Sequence, residues 1–327
     1  MGLEKILNNF KSKKILVIGD AIIDSYLWGE INRMSPEAPV PVVDVKVNQN
    51  DNRLGGAANV ALNLKELGAK AILCTVIGND SKGILFEQLM KEQGLGVEGM
   101  LISDGRKTTT KTRVIVKDRH QLRIDEEDKH PIKIEKQFLN LVIKVSKNID
   151  AIILQDYNKG VLTKNIITKL INYANENNIP TIVDPKKDNF LSYKNCTLFK
   201  PNLHEISEGL QQEINPENLK EIREITSKLK RKLKSNSILL TLSDKGICIN
   251  SEKHFYHFKS KTNNVIDVSG AGDTVVSIAA LCLACKTSAG QLAQLSNIAG
   301  GIVCEKVGVV PINFLQLYKR AKLITND

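Results

Sequence analysis

The sequence predicts an α/β fold: a mostly parallel central sheet covered by helices on both faces, with a second, smaller sheet set apart from it. Two observations predict it. Short continuous apolar runs, the look of strands buried on both sides, alternate with amphipathic segments along most of the chain. Segments 38–47 (APVPVVDVKV) and 108–117 (TTTKTRVIVK) alternate apolar with polar residues instead, as a half-exposed sheet does. At 327 residues, 42% hydrophobic and 25% charged, the chain is long enough for one large domain. It shows no internal repeat, low-complexity stretch or linker.

Lys14–Gly19 (KILVIG) is the first apolar run, ending in glycine. Asp20 and Asp24 follow at its carboxyl end, where open α/β sheets bind ligands. Asp20 fits a turn or a cap as well as it fits a site. After the 38–47 edge strand, Gly55 and Gly56 open an amphipathic helix. Residues 71–78 (AILCTVIG) read as a strand, and Ser81–Gly94 as a helix with a serine cap and a glycine stop. Lys133–Lys147 and Thr163–Asn178 read as helices. Ala151–Leu154, Thr181–Val183, Leu198–Lys200 and Ser237–Leu242 read as short strands. In 253–258 (KHFYHF) the alternation places His254 and His257 on opposite faces, which argues against a metal pair. Residues 275–287 (VVSIAALCLACKT) are apolar enough for a buried helix. Its Cys282 and Cys285 are therefore expected as buried thiols rather than a metal or redox pair.

The net charge of +10 is mostly lysine, with no arginine-rich or aromatic-interleaved patch, so nucleic-acid binding is not expected. A mild positive field instead helps gather anionic substrates. No apolar run is long enough for a membrane span, and the first residues lack the apolar core of a signal peptide. A cytoplasmic protein is the expectation.

The chemistry centres on residues 267–274 (DVSGAGDT), between a strand-and-turn segment and the apolar helix. Successive N–H groups at a helix start make an anion cradle, strengthened by the helix dipole. The dipole is expected to keep Asp273 ionised, ready to take a proton from a substrate hydroxyl. Taken alone, the stretch is more simply a glycine-rich turn with an aspartate at a helix N-cap. A second motif far away, 53–68 (RLGGAANVALNLKELG), changes that reading.

Together the two stretches resemble the paired signatures of the ribokinase-like (PfkB) family of sugar kinases, over roughly Lys14 to Pro311. Residues 32–41 (NRMSPEAPVP) are similar to the branch that phosphorylates D-glycero-D-manno-heptose 7-phosphate at the anomeric position, on the route to ADP-heptose and the lipopolysaccharide core. The resemblance implies a three-layer α/β/α kinase domain over 1–327, with a β-sheet lid from about 26–50 and 100–124. It implies ATP and Mg²⁺ as cofactors, a sugar phosphate as substrate, and a homodimer formed through the lid. Neither nucleic acid nor membrane enters. Another sugar, such as ribose or a fructose phosphate, is the alternative acceptor. A non-catalytic sugar-phosphate sensor is the alternative of a different class.

Site residues follow from the same resemblance. Asp273 is the base, with Gly270, Ala271 and Gly272 as the anion hole. Asp24, Gly55, Gly56 and Asn59 hold the sugar, with Asp156 and Lys159 as further contacts. Asn202 and Glu205 position Mg²⁺, Glu205 through water, although a helix capping box explains the same pair. Thr241, Ser243 and Gly246 line the nucleotide phosphates and ribose, and Asn297 the adenine. Asp267 and Ser269 match positions that bind a monovalent cation such as K⁺. A phosphate already on the sugar needs cationic donors. Arg33 and Arg113 are the first choices and Lys186 the third; Arg119 and Arg123 lie nearby, and solvated lid charges explain the same arginines. Two departures stand out. Asn158 occupies a position where glycine is expected, and 119–125 (RHQLRID) is shorter than its counterpart in the heptose kinases.

Overall fold

Alternate residues of the strand Lys14–Gly19 face two different cores, and this fixes the layering. Ile15 and Val17 share one core with Val60, Leu64, Ile278 and Ile302. Leu16 and Ile18 share the other with Phe138, Leu170, Ile225 and Leu229. A strand buried on both faces needs helices on both faces, so the sheet lies between two helical layers. The structure, a computed structural model, describes residues 2–46, 48, 50–261 and 264–325. Residues 47 and 49 of the expected first lid segment, and residues 1, 262, 263, 326 and 327 of the expected domain, lie outside the described residues.

In chain order the elements are α1 (Leu3–Asn9), β1 (Lys14–Gly19), β2 (Ala21–Met34), β3 (Pro41–Val45), β4 (Asp51–Gly56), α2 (Ala57–Glu66), β5 (Lys70–Gly78) and α3 (Ser81–Glu92). Next come β6 (Met100–Ser103), β7 (Thr110–Val116), β8 (Arg119–Glu126), α4 (Glu135–Val145), β9 (Ala151–Gln155), α5 (Lys164–Glu176), β10 (Thr181–Asp184) and β11 (Leu198–Phe199). The chain closes with α6 (Leu203–Leu210), α7 (Leu219–Leu233), β12 (Ser237–Thr241), β13 (Ile247–Asn250), β14 (Phe255–Phe258), α8 (Ala271–Ala284), α9 (Ala289–Cys304) and α10 (Phe314–Thr325).

The large sheet has nine strands in the order β14-β13-β12-β11-β10-β9-β1-β5-β6. It is parallel from β12 to β6, and β13 and β14 are added antiparallel at one edge. The carboxyl ends of β1, β9, β10, β11 and β12 therefore point the same way. They deliver Asp20, Gln155, Asp184, Lys200 and Thr241 to one rim, where such sheets bind ligands.

The small sheet is built on β2, fourteen residues long. Its first half pairs with β4 and its far half with β3, while β7 runs along its other side and carries β8 at the edge. The second expected lid segment needs correction: Met100–Ser103 pairs with β5 in the large sheet, and the strands of the small sheet here are Thr110–Val116 and Arg119–Glu126. The α3 cap also differs. Asp80, extended at φ −141°, accepts from Gly83 N–H at 2.7 Å, so it and not Ser81 closes the first turn. No helix among the described residues is long and apolar enough to cross a membrane.

Candidate active site

α8 starts where the chain must turn sharply. Gly270 sits in the left-handed region at φ 79°, which favours glycine. Ala271 N–H donates to the Val268 carbonyl at 3.2 Å, so it is not part of the expected cradle. The N–H groups of Gly270, Gly272 and Asp273 have no protein acceptor among the described residues, and they supply the anion-binding donors. A side-chain carbon on Gly272 would stand 3.8 Å from both Asp184 Oδ2 and Lys200 Nζ, so these two groups border the cradle.

Asp273 lies on the first turn of α8 and is 6% exposed. Its carboxylate accepts from Asn59 Nδ2 at 2.7 Å, from Tyr157 O–H at 2.6 Å and from Gln155 Nε2 at 3.3 Å. Burial pushes its pKa up to about 6; the bonds from Tyr157 and Asn59 oppose that rise, and the nearby Asp184 adds to it. The expectation that the dipole simply keeps it ionised is thus corrected: desolvation is the larger effect. At pH 7 the carboxylate is still the major form. A buried base with a pKa near neutrality, beside free backbone donors, is equipped to take a proton while charge builds next to it.

The early motif meets this point from the other side. Asn59 lies on α2, and Asn63 one turn further on accepts from Thr274 O–H at 3.0 Å, so the two helices are tied twice. Gly55 is dictated by contact: a side-chain carbon there would fall 2.0 Å from Asp24 Oδ2. Gly56 is in the left-handed region at φ 58°, and a side chain there would strike the Asp20 carbonyl. Asp24 is buried and pairs with Arg113 at 2.5 Å. Asp20 is resolved as structural. Its carboxylate accepts from the N–H groups of Tyr157, Lys159 and Val161, which shapes the loop after β9. In that loop Asn158 has φ 54°, which explains why a glycine is expected there and why asparagine serves.

Other expected contacts are turned elsewhere. The Asp156 carboxylate accepts from Asn158 N–H, Asn189 Nδ2 and Tyr193 O–H, away from Asp273. Lys159 pairs with Glu127 at 2.6 Å. Arg33 is exposed on β2, nine residues beyond Asp24, which is roughly 30 Å of strand. Arg119 and Arg123 lie exposed on β8, where Arg123 pairs with Asp125. Lys186 pairs with Glu205; burial disfavours its charge, but Asp184 and Glu205 outweigh that and raise its pKa.

Asn202 and Glu205 do form a capping box at the start of α6, each side chain bonded to the other's backbone N–H at 2.8 Å. Thr241, at the end of β12, bridges to Asn202, and Ser243 is exposed in the following turn. Gly246 packs against the 258–260 backbone, where a side chain would clash. Asn297 donates to the Lys259 carbonyl at 2.8 Å and lines an open pocket of about 220 Å³ with His257, Gln294 and Arg320. Asp267 accepts from the N–H groups of Ser269 and Gly308; burial opposes its charge, but these bonds prevail and hold its pKa low. All six cysteines are free thiols, and burial pushes Cys282 up to about 12.

Five site residues escape the sequence reasoning: Gln155, Tyr157, Asp184, Lys200 and Lys111. Lys200 is 2% exposed and pairs with Asp184 at 3.1 Å, and Gln155 donates to the second oxygen of Asp184 at 3.1 Å. Two ammonium groups approach the Tyr157 ring, Lys111 Nζ at 5.8 Å and Lys186 Nζ at 5.7 Å from its centre. Tyr157 adjoins the expected Asp156, and the polar residues Asp184 and Lys200 before the P-K and P-N turns are the only other signal available.

Comparison with known proteins bears on the family and the fold. The signature of the pfkB family of carbohydrate kinases matches residues 12–313. The "Bifunctional protein HldE" of Campylobacter curvus is 37% identical over 304 residues, covering 93% of this chain and 64% of that protein. The protein of the same name from Helicobacter pylori is 38% identical, with 90% and 64% covered. This chain therefore spans a little under two thirds of these relatives. Among solved structures, phosphofructokinase-2 from Escherichia coli in complex with potassium superposes with a TM-score of 0.79 at 16% identity, over 96% of this chain and 99% of that one. Arabidopsis thaliana ribokinase complexed with ribose and ATP gives 0.75 at 18% identity, over 95% and 99%. The latter two establish the ribokinase-like fold alone. With the family signature spanning nearly all of the chain, this protein belongs to the pfkB family of carbohydrate kinases and is an ATP-dependent sugar kinase.

Proposed function

We propose that this kinase transfers the γ-phosphoryl group of ATP to the anomeric hydroxyl of D-glycero-β-D-manno-heptose 7-phosphate, giving the 1,7-bisphosphate and ADP, a step toward ADP-heptose. The observation that carries the reaction type is the meeting of the two motifs: Asn59 bonds Asp273 across 214 residues of sequence, beside the open helix start. The choice of heptose is supported by the likeness of residues 32–41 to the heptose branch.

Asp273 accepts the anomeric proton as that oxygen bonds to phosphorus and the bond to ADP breaks. Asn59, Tyr157 and Gln155 hold the carboxylate in place, occupying three of its roughly four acceptor positions and leaving one for the hydroxyl. The free N–H groups at the start of α8 offset charge on the transferring group. Asp24, held by Arg113, takes sugar hydroxyls.

Among the described residues no three acidic, thiol or imidazole groups converge into a metal cage. Glu205, with Asp184 beside it, would hold Mg²⁺ through water. When bound it supplies charge neutralisation at the phosphates. Asp267 and Ser269 shape the loop where K⁺ would act. The protein works in the cytoplasm as a dimer joined through the lid, whose outer strand leaves Leu122 59% and Ile124 46% exposed.

The test is ADP release with Mg-ATP against both anomers of heptose 7-phosphate, unphosphorylated heptose, ribose, fructose 6-phosphate and a sugar-free blank, each with Na⁺ and with K⁺. Selectivity for heptose 7-phosphate is expected. Preference for another sugar would keep the base and overturn the acceptor.

A further inference from the structure

A phosphate on the acceptor must meet a cation, and the three cations first expected for it are engaged or distant. Arg113 pairs with Asp24, Lys186 pairs with Glu205, and Arg33 lies exposed on the outer half of β2. Other cations near the cleft are likewise neutralised: Lys159 by Glu127 at 2.6 Å, Arg123 by Asp125 at 2.8 Å and Arg53 by Asp51 at 2.6 Å.

Lys111 differs. It sits on β7 in register with Asp24 on one side and Asp125 on the other, two residues from Arg113 and so on the same face of the sheet. It is half-buried, and its ammonium lies 5.8 Å from the centre of the Tyr157 ring, whose hydroxyl bonds Asp273. A single side chain thus separates it from the base, a span on the scale of one sugar phosphate. Among the described residues no carboxylate lies within ion-pair distance of it. Asp24 and Asp125 attract it from farther off while bonded to Arg113 and Arg123. Burial first, and Lys159 second, push its pKa below the ordinary ammonium range. A half-buried cation without a counter-ion carries a desolvation cost that an arriving anion offsets.

We propose that Lys111 is the ammonium that pairs with the phosphate carried by the acceptor sugar, and so sets the preference for a phosphorylated acceptor. This rests on the reading that the acceptor is a sugar phosphate. The other phosphate within reach of the cleft is the one being transferred from ATP, and the experiment separates the two.

Wild type, Lys111→Met and Lys111→Arg are assayed with heptose 7-phosphate and with unphosphorylated heptose, at varied ATP. In Lys111→Met the ratio of the two kcat/KM values is expected to fall roughly 30- to 100-fold, the loss of one charge-assisted bond, with KM for ATP unchanged. Lys111→Arg is expected to restore most of that ratio. If the methionine variant does not fold, Lys111→Gln carries the same expectation. Equal losses on both acceptors, or a raised KM for ATP with the ratio intact, would assign Lys111 to the transferred phosphoryl group and overturn the proposal. A wild type without preference for the phosphorylated acceptor would sink the substrate reading, and the proposal with it.

Discussion

Asp156 and Asp273 look alike in isolation. Each accepts a 2.6 Å bond from a tyrosine hydroxyl, each also accepts from a side-chain amide, and burial pushes each up to about 6. Their surroundings differ. Asp156 faces Tyr193, Asn189 and, nearby, the Asp20 carboxylate that raises it further. Asp273 opens on unpaired N–H groups at a helix start and on the Asp184–Lys200 pair. A perturbed carboxylate is therefore a candidate and no more. What separates a base from a brace is whether a reacting atom has somewhere to sit beside it.

Substitution puts the contrast at risk. Asp273→Asn is expected to lower kcat about 10³-fold with ATP affinity unchanged, as loss of a general base does. Asp156→Asn is expected to leave kcat within roughly threefold and to destabilise by about 1–3 kcal/mol, because an amide nitrogen would then face one of its three donors. Turnover and thermal unfolding read the two variants, and equal kcat losses would erase the distinction.

Lys200→Met sharpens it from the side of the charges. It leaves buried Asp184 without its direct ion-pair partner and is expected to cost about 3–5 kcal/mol in a denaturant titration. An unchanged midpoint would mean that the pair does not hold the rim together.

The smallest effect is in pH. Asp273 must be ionised to accept a proton, so kcat/KM is expected to fall as pH drops through about 6. Tyr157→Phe removes a donor that favours the carboxylate, so that acid limb should move to higher pH; a stationary limb would deny Tyr157 its positioning role. Stability runs the other way. Both carboxylates have folded pKa values raised above the unfolded value of about 4, so their contribution is fully present below that value and is lost as pH rises through about 6.

Much of the site was legible because its residues come packaged. Gly55, Gly56 and Asn59 fall within five residues, and Gly270 to Asp273 within four, and Gly55, Gly56 and Gly270 each answer to a close approach or a left-handed turn. Lys111, Lys200 and Asp184 were not legible, because each acts through partners that only strand register and sheet order bring near. The same holds for β2, whose partners come from both sides of it in sequence. α7 shows the limit of reading by alternation: Ile222, Ile225, Thr226, Leu229 and Leu233 recur at helical steps, yet no apolar run draws attention to them.

β2 also has a mechanical side. One unbroken ribbon carries Asp24 at the floor of the cleft and Arg33 at the lid's outer edge, with Gly29 between them where Val43 and the Asp44 backbone press too closely for a side chain. If the acceptor also favours one curvature of this ribbon, any partner that grips the outer edge more tightly in one curvature than in another changes the affinity for the acceptor. By thermodynamic reciprocity, the acceptor must change the partner's affinity by the same factor.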